Sequence, residues 1–239
     1  MKLLKTLVNC ISEPISLLTN QSLCTGIFPD KFKLAKILPL MKKANNVDIE
    51  NFRPISLLNS ISKIIEKCVF NQLFKYFETN NLFYPSQYGY RKDHWTETAC
   101  LELIDKINQQ LDKKETPICL FLDLSKAFDT LNHSILIKKL KYYGLDECAI
   151  KWFQSYLSNR KQYVEIENIK SETKSVNNGV PQGSILGPLL FIIYVNDINN
   201  ASDCFKSILY ADNTSLNSTL TILNSNRGSL SSNINYELD

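Results

Sequence analysis

Two aspartates each close a short apolar run, a position from which a carboxylate can hold a divalent cation. Asp123 follows Ile-Cys-Leu-Phe-Leu, and Asp212 follows Leu-Tyr-Ala. Read separately, Asp123 could cap the helix that follows it, and Asp212 could be an ordinary turn residue. If the two strands are neighbours in one sheet, however, the carboxylates converge, and Mg²⁺ prefers such oxygen ligands. Two ions about 3.5–4 Å apart stabilise the attacking and leaving oxygens of a phosphoryl transfer.

A second segment with possible chemistry is rich in glycine and proline. Residues 179–188 hold three glycines and two prolines and precede an apolar stretch that predicts a buried helix. Glycines let the backbone approach a ligand closely, and the start of a helix offers N–H groups to phosphate. The alternative is a plain loop, because a glycine-rich loop alone is weak evidence.

The elements that must position these residues are mixed helices and strands. Apolar spacing predicts helices over residues 13–25, 60–77, 96–112, 133–143, 147–157 and 188–196. Strands are predicted near 37–38, 55–58, 116–124, 162–167, 174–178 and 207–213, and the Ser- and Asn-rich stretch 213–239 could be a loosely ordered tail. The order shows no regular alternation of strand and helix, so the fold class is predicted to be α+β.

Composition and charge exclude several classes of protein. Seven glycines and eight prolines among 239 residues exclude collagen-like and proline-rich chains. The longest apolar run, 188–195, is far shorter than the roughly 18 residues of a membrane helix, and no signal peptide is recognised. Seven cysteines without a CxxC pair argue against a disulfide framework and favour a reducing, intracellular environment.

The net charge of +3 is unevenly distributed along the chain. Residues 1–95 hold 13 Lys/Arg and 7 Asp/Glu, a balance of +6, whereas residues 96–239 hold 14 and 17, a balance of −3. A basic front half suggests contact with an anion, and an acidic back half suggests bound cations. Chance variation in composition is the alternative explanation.

Four long motifs occur in a fixed order and carry a resemblance to a known family. They are Asn-Phe-Arg-Pro-Ile-Ser-Leu-Leu at 51–58, Phe-Leu-Asp-Leu-Ser-Lys-Ala-Phe-Asp-Thr-Leu-Asn-His at 121–133, Gly-Val-Pro-Gln-Gly-Ser-Ile-Leu-Gly-Pro-Leu-Leu at 179–190 and Leu-Tyr-Ala-Asp at 209–212. Shorter matches lie at 28–35, 87–91 and 96–99. The series resembles the reverse transcriptase domain of non-LTR (LINE-type, jockey-like) retrotransposons over residues 13–239.

The resemblance implies a right-hand polymerase fold with a central antiparallel sheet. It implies an N-terminal helical extension at 1–22 and a reverse transcriptase domain at 23–239, with fingers at 23–115, a palm at 116–239 and no thumb. It also implies an RNA-directed DNA polymerase that uses two Mg²⁺ ions, an RNA template, a DNA primer and dNTPs.

The same resemblance implies roles for individual residues. Asp123, with the backbone carbonyl of Leu124, and Asp212, with Asn213, would hold metal. Phe128 would be the steric gate against a ribose 2′-OH, or alternatively a core aromatic. Gln182 and Gly183 would contact nucleotide and template. Arg53 and Arg91 would contact the incoming triphosphate. Alternatively, they are solvated charges or charges that follow the phosphates of the nucleic acid. The expected nucleic-acid-binding cations are Lys31, Lys33, Lys36, Lys42 and Lys43.

The chain departs from the family pattern at the metal site. The family has two successive aspartates where this chain has Asp212 and Asn213, and an amide oxygen ligates metal without contributing charge. His94 and Trp95 replace residues that are usually small and polar. These departures suggest an impaired or inactive copy, a retrotransposon fragment; the alternative is a catalytically dead remnant that only binds nucleic acid. We expect little or no nucleotide incorporation, and no full recovery from Asn213→Asp alone.

Overall fold

The computed structural model describes residues 6–42, 48–124, 126–167 and 169–220, without the side chain of Glu50. The chain forms two compact units. The first contains residues 1–81 and 128–191, and the second contains residues 82–127 and 192–239.

The first unit is built around a five-stranded mixed sheet. Its strands are β1 (Leu34–Met41), β2 (Phe52–Leu57), β4 (Arg160–Ile166), β5 (Ile169–Lys170) and β6 (Lys174–Val176). β1 pairs antiparallel with β2 and parallel with β4, whose other edge carries β5 and β6. The predicted hairpin between 162–167 and 174–178 is confirmed by the β4–β6 pairing.

Helices supply the apolar core of the first unit. They are α1 (Val8–Thr25), α2 (Ser60–Thr79), α4 (Ala127–Thr130), α5 (His133–Tyr142) and α6 (Glu147–Leu157), and α7 (Leu186–Tyr194) leads into the second unit. α1 ends at Gly26 in the left-handed conformation, as the sequence predicted. Phe28 packs edge-on against Trp152 and Tyr156, and all three side chains are buried. This aromatic cluster joins the turn after α1 to α6.

The second unit contains a three-stranded antiparallel sheet in the order β3–β8–β7. Its strands are β3 (Pro117–Asp123), β7 (Lys206–Tyr210) and β8 (Asn213–Thr219). Helix α3 (Thr96–Asp112) contacts all three strands. Gln110 on α3 exchanges hydrogen bonds with Asn217 on β8 at 2.7 and 3.2 Å. The sheet and α3 therefore form two layers that pack against each other.

The prediction of a loose tail starting at 213 is wrong for the first seven residues. Asn213–Thr219 is a central strand that pairs with β3 on one edge and β7 on the other. Its composition is polar, but Thr214, Asn217, Ser218 and Thr219 are buried. Gln110 satisfies the buried amide of Asn217, whereas the Ser218 hydroxyl has no hydrogen-bond partner within the described residues. The rest of the predicted tail, 221–239, lies outside the described residues.

Together, these elements confirm the predicted α+β class. Within the described residues, no helix is long and apolar enough to cross a membrane. All seven cysteines are free thiols.

Candidate active site

The two aspartates predicted to hold metal lie at one corner of the three-stranded sheet. Asp123, the last residue of β3, is paired directly with Asn213, the first residue of β8. Asn213 also pairs with Tyr210 at the end of β7, so Ala211 and Asp212 form a two-residue turn. Directly opposed residues of an antiparallel pair share a face, with Cβ atoms about 4.5–5.5 Å apart. Asp123 therefore lies opposite the amide of Asn213, and Asp212 directly precedes Asn213 in the turn.

The turn between β7 and β8 holds a strained residue. Ala211 is buried and has a φ of 58°. Two-residue hairpin turns require a positive φ, which usually falls on Gly or Asn, and a residue with a Cβ keeps it only where the surroundings hold it. Such retained strain is often found at functional sites.

Gly89 lies directly against the backbone of this turn, a contact that sequence reasoning did not single out. A Cβ on Gly89 would lie 2.0 Å from the Ala211 nitrogen and 2.6 Å from its Cα. Only glycine fits this contact without moving the backbone. The available signal was the Gln-Tyr-Gly-Tyr-Arg match at 87–91, but nothing in it showed which element the glycine touches.

The segment around Gly89 runs along the edge of β7 and is tied to α3. Tyr88 N donates to Leu209 O at 2.7 Å, and Leu209 N donates to Ser86 O at 2.9 Å. The hydroxyls of Ser86 and Tyr88 both donate to the Glu102 carboxylate. Burial alone would raise the pKa of Glu102, but hydrogen bonds from Lys106, Tyr88 and Ser86 hold it below its ordinary value. An ionised Glu102 therefore fastens this segment.

The donor set at the sheet corner suits a hard divalent cation. Asp123 and Asn213 are exposed and Asp212 is half-buried, and within the described residues neither carboxylate has a hydrogen bond or an ion pair. Carboxylate and amide oxygens are ligands of Mg²⁺. No group of three or more His, Cys, Asp or Glu side chains arranged for metal occurs in the described part of the chain. The corner therefore carries two carboxylates and one side-chain amide, and their role as metal ligands stays a prediction.

Tyr90 contributes a hydroxyl close to this corner. Burial raises the pKa of Tyr90, and the negative charge of Asp212 raises it further. The backbone of Tyr90 has a φ of 58°, a second positive value near the turn. Its phenol therefore stays protonated beside Asp212 at neutral pH.

Arg91 is engaged by its own loop. Its guanidinium lies over the Phe83 ring, 5.0 Å from the centroid, and donates to the carbonyls of Tyr84 and Gln87 at 3.4 Å. These contacts shape the loop that carries Gly89. The expected contact with a triphosphate stays a prediction.

The glycine-rich segment is anchored to β2 and to α4. Ser56 N donates to Gln182 O at 2.7 Å, and the Gln182 Nε2 donates to both Asp129 carboxylate oxygens at 3.1 Å. Since a carboxylate only accepts, this contact fixes which end of the amide faces Asp129. Gly183 has a φ of 107°, and a Cβ there would meet Ser56 O at 3.0 Å. Glycine is therefore required at the second position of the predicted nucleotide-contacting pair.

A buried carboxyl group on α2 accepts hydrogen bonds from the start of α7, the helix that follows this segment. Glu66 on α2 accepts from Ile185 N at 2.8 Å, from Leu186 N at 3.4 Å and from the Ser62 hydroxyl at 3.0 Å. Burial raises the pKa of Glu66, an effect that these hydrogen bonds and the charge of Arg160 reduce. Sequence reasoning missed Glu66, because on α2 it appears only as one polar residue among apolar ones.

Phe128 packs against another aromatic ring, as expected of the core aromatic that was the alternative to a steric gate. Its ring centroid lies 5.0 Å from that of Phe191, and its carbonyl accepts from Val180 N at 2.8 Å. Its side chain is half-buried. The steric-gate role stays a prediction.

The predicted cations of the first unit occupy different environments. Arg53, Lys31 and Lys42 are exposed. Lys33 is buried, with its ammonium 2.8 Å from Asp30, and Lys36 pairs with Glu165 at 2.9 Å. Lys43 lies outside the described residues. The charge of Lys33 is therefore paired with Asp30 within the protein.

Solved structures support the fold class. The chain aligns with telomerase from Candida albicans in complex with a fragment of telomeric RNA, with a TM-score of 0.58 and 13% identity over 87% of this chain and 42% of that one. Apo telomerase from Candida tropicalis, truncated from its C-terminal domain, gives a TM-score of 0.56 and 17% identity over 87% and 48%. At such identities the similarity concerns the fold.

Sequence comparison is more specific. Residues 41–221 match the family described as reverse transcriptase (RNA-dependent DNA polymerase). The probable RNA-directed DNA polymerase from transposon BS of Drosophila melanogaster is 34% identical over 84% of this chain and 23% of its own length. The RNA-directed DNA polymerase from mobile element jockey of the same species is 31% identical over 77% and 20%. The chain spans about a fifth of the length of these relatives. It belongs to the reverse transcriptase family, among the polymerases of non-LTR retrotransposons.

Proposed function

We propose that this chain carries the fingers and palm of an RNA-directed DNA polymerase whose metal site is weakened. The second unit would supply the palm corner, and the first unit the fingers and the nucleotide-contacting segment. The observation that carries the proposal is the register that pairs Asp123 with Asn213 and places Asp212 in the adjacent turn. The substrates would be an RNA template, a DNA primer and dNTPs.

The residues at the sheet corner would bind and orient divalent cations. Asp123, the Leu124 carbonyl and Asp212 would hold them, with the Asn213 amide as a neutral ligand. Two bound Mg²⁺ ions supply charge stabilisation to a transferring phosphoryl group. Because Asn213 replaces a carboxylate, the site attracts these ions less strongly than one with three charges.

The glycine-rich segment would position the incoming nucleotide. The amide of Gln182 is held by Asp129, so its remaining hydrogen-bonding atoms present a fixed pattern. Gly183 brings backbone close to Ser56, which fixes the segment against β2. Arg53 is exposed on β2 and suited to phosphate, because a guanidinium binds phosphate oxygens in pairs.

A second candidate function is nucleic-acid binding without catalysis. The observation that favours it is Asn213, which removes one charge from a site where catalysis is mostly electrostatic. In this case, the exposed Lys31 and Lys42 would hold nucleic acid while the sheet corner stays inactive.

Primer extension on an RNA template with Mg²⁺ separates the two functions. The unmodified chain, Asn213→Asp and Asp123→Asn should be compared at equal concentration. We expect trace extension by the unmodified chain, more by Asn213→Asp without reaching rapid turnover, and none by Asp123→Asn. Extension that is equal in all three proteins contradicts the assignment of the sheet corner. Binding of template by proteins that never extend supports the second function.

A further inference from the structure

The first unit contains a cavity with a mixed polar and apolar lining, and one of its lining residues, Arg160, has no role in the assignments above. Its volume is about 270 Å³, and it lies between one face of the five-stranded sheet and residues 178–182. The sheet contributes the small residues Ala35 and Ser56 together with Gln162, which is paired with Ala35 and so shares its face. A single buried water needs only about 10–15 Å³ of such space, so this cavity accommodates a polyatomic ligand.

A buried arginine with a spare donor lines this cavity. Arg160 is 2% exposed, and its Nη1 donates to Tyr156 O at 3.0 Å. Its Nη2 has no hydrogen-bond partner within the described residues. A buried guanidinium nitrogen without a partner is costly, because it has lost water and gained no acceptor. Such a group is satisfied by an acceptor that enters from the cavity.

We propose that this cavity binds a phosphate group, with Arg160 as its principal ligand. A guanidinium matches phosphate oxygens in charge and geometry. The polar side chains of Ser56, Gln162 and Asn178 line the same space and can donate further hydrogen bonds. The proposal goes beyond the polymerase assignment, since Arg160 is not among the residues given to metal, nucleotide or template.

The cavity is lined by two cations, Arg160 and Lys161, and by one carboxylate, Asp129, and the carboxyl group of Glu66 lies close enough to interact with Arg160. Asp129 lines the cavity, and its carboxylate is occupied by the Gln182 amide. Glu66 senses the charge of Arg160, although burial favours the neutral form of Glu66. Each negative charge opposes an entering anion. Removing the charge of Asp129 should therefore strengthen phosphate binding, which loss of a merely structural contact would not do.

The test is calorimetric titration of the full chain with sodium phosphate, without metal or nucleic acid. Arg160→Lys keeps the positive charge but removes the planar guanidinium with its spare Nη2, and it should weaken phosphate binding. Gln162→Glu adds a negative charge at an exposed position of the cavity wall. Gln154→Glu makes the same charge change on the exposed side of α6, away from the cavity, and serves as the control.

We expect Gln162→Glu to weaken phosphate binding about fivefold or more and Asp129→Asn to tighten it about threefold, with Gln154→Glu unchanged. Competition then identifies the source of the phosphate. An RNA oligonucleotide that displaces phosphate indicates a backbone phosphate, and displacement by pyrophosphate alone indicates a free one. Absence of phosphate binding to the unmodified chain overturns the proposal, as does an equal effect of Gln162→Glu and Gln154→Glu. Neither result depends on polymerase activity, so failure here leaves the proposed function intact.

Discussion

Among single residues, Glu66 shows most clearly how a buried carboxyl group stabilises the start of a helix. Its carboxylate accepts from two backbone N–H groups at the start of α7 and from Ser62. Glu66→Ala leaves these buried donors without an acceptor, and we expect the free energy of unfolding to fall by about 2–3 kcal/mol. Urea unfolding measures this loss. Glu172→Ala, at an exposed position, is the control and should change stability little.

The raised pKa of Glu66 also predicts a pH dependence. A carboxyl whose pKa is higher in the folded state than in the unfolded state stabilises the fold at low pH. That contribution is full below the unfolded pKa, near 4.5, and is lost as the pH rises through the folded value. Glu66→Gln carries no charge at any pH, so this decline should be missing from its stability profile. An identical pH profile in the two proteins would argue against a buried, ionisable Glu66.

At the scale of elements, the segment 84–91 acts as a brace for the β7–β8 turn. Gly89→Ala would place a methyl group 2.0 Å from the Ala211 nitrogen, so the turn must move. We expect a loss of about 1–3 kcal/mol in stability, typical of overpacking, together with weaker divalent-metal binding at Asp212.

Gly144→Ala provides the matched control for this change. Gly144 has a φ of 85°, so the substitution is also strained, but the added Cβ meets only the Tyr76 hydroxyl in the first unit. It should lower stability without altering metal binding. Metal binding that responds equally to both substitutions would show that Gly89 has no specific effect on the turn.

The structure shows which features local sequence could reveal. The apolar runs that end in Asp123 and Asp212 predicted two strands of one sheet, and β3 and β7 do belong to one sheet. They are not neighbours, however, because β8 lies between them and brings Asn213 directly opposite Asp123. The strand over Asn213–Thr219 was not predicted, because its sequence is polar and the partners of a buried residue such as Asn217 lie on α3 and β3, about 100 positions away. Gly89, Glu66 and Arg160 were missed for the same physical reason. Gly89 lies against Ala211, Glu66 accepts from Ile185 N, and Arg160 lines a cavity shared with residues 35 and 56. These partners are all more than 100 positions away in sequence, and no local pattern encodes such contacts.

At the scale of the whole molecule, the basic front half predicts salt-dependent binding of nucleic acid. Of the lysines predicted to bind nucleic acid, Lys31 and Lys42 are exposed, whereas Lys33 is buried against Asp30. Replacing Lys31 and Lys42 by Gln should reduce the dependence of log K on log salt for single-stranded RNA by about 1.4, or 0.7 for each contact. Fluorescence anisotropy at several salt concentrations measures this slope.

The control makes the same change in charge in the acidic half. Lys113 and Lys138 are both exposed there, and their replacement by Gln should leave the slope unchanged. Equal effects of the two double substitutions would indicate that net charge, not the front half, governs binding.

The proposed polymerase function requires that the corner formed by Asp123, Asp212 and Asn213 is a divalent-metal site short of one charge. Titration with Mn²⁺, followed by electron paramagnetic resonance, tests it without requiring catalysis. We predict weak binding by the unmodified chain, binding about tenfold tighter or more in Asn213→Asp, and none at this site in Asp123→Asn. Asn200→Asp makes the same change at an exposed position of the second unit and should have no effect. If Asn213→Asp and Asn200→Asp alter Mn²⁺ affinity equally, or Asp123→Asn leaves it unchanged, this corner is not the divalent-metal site.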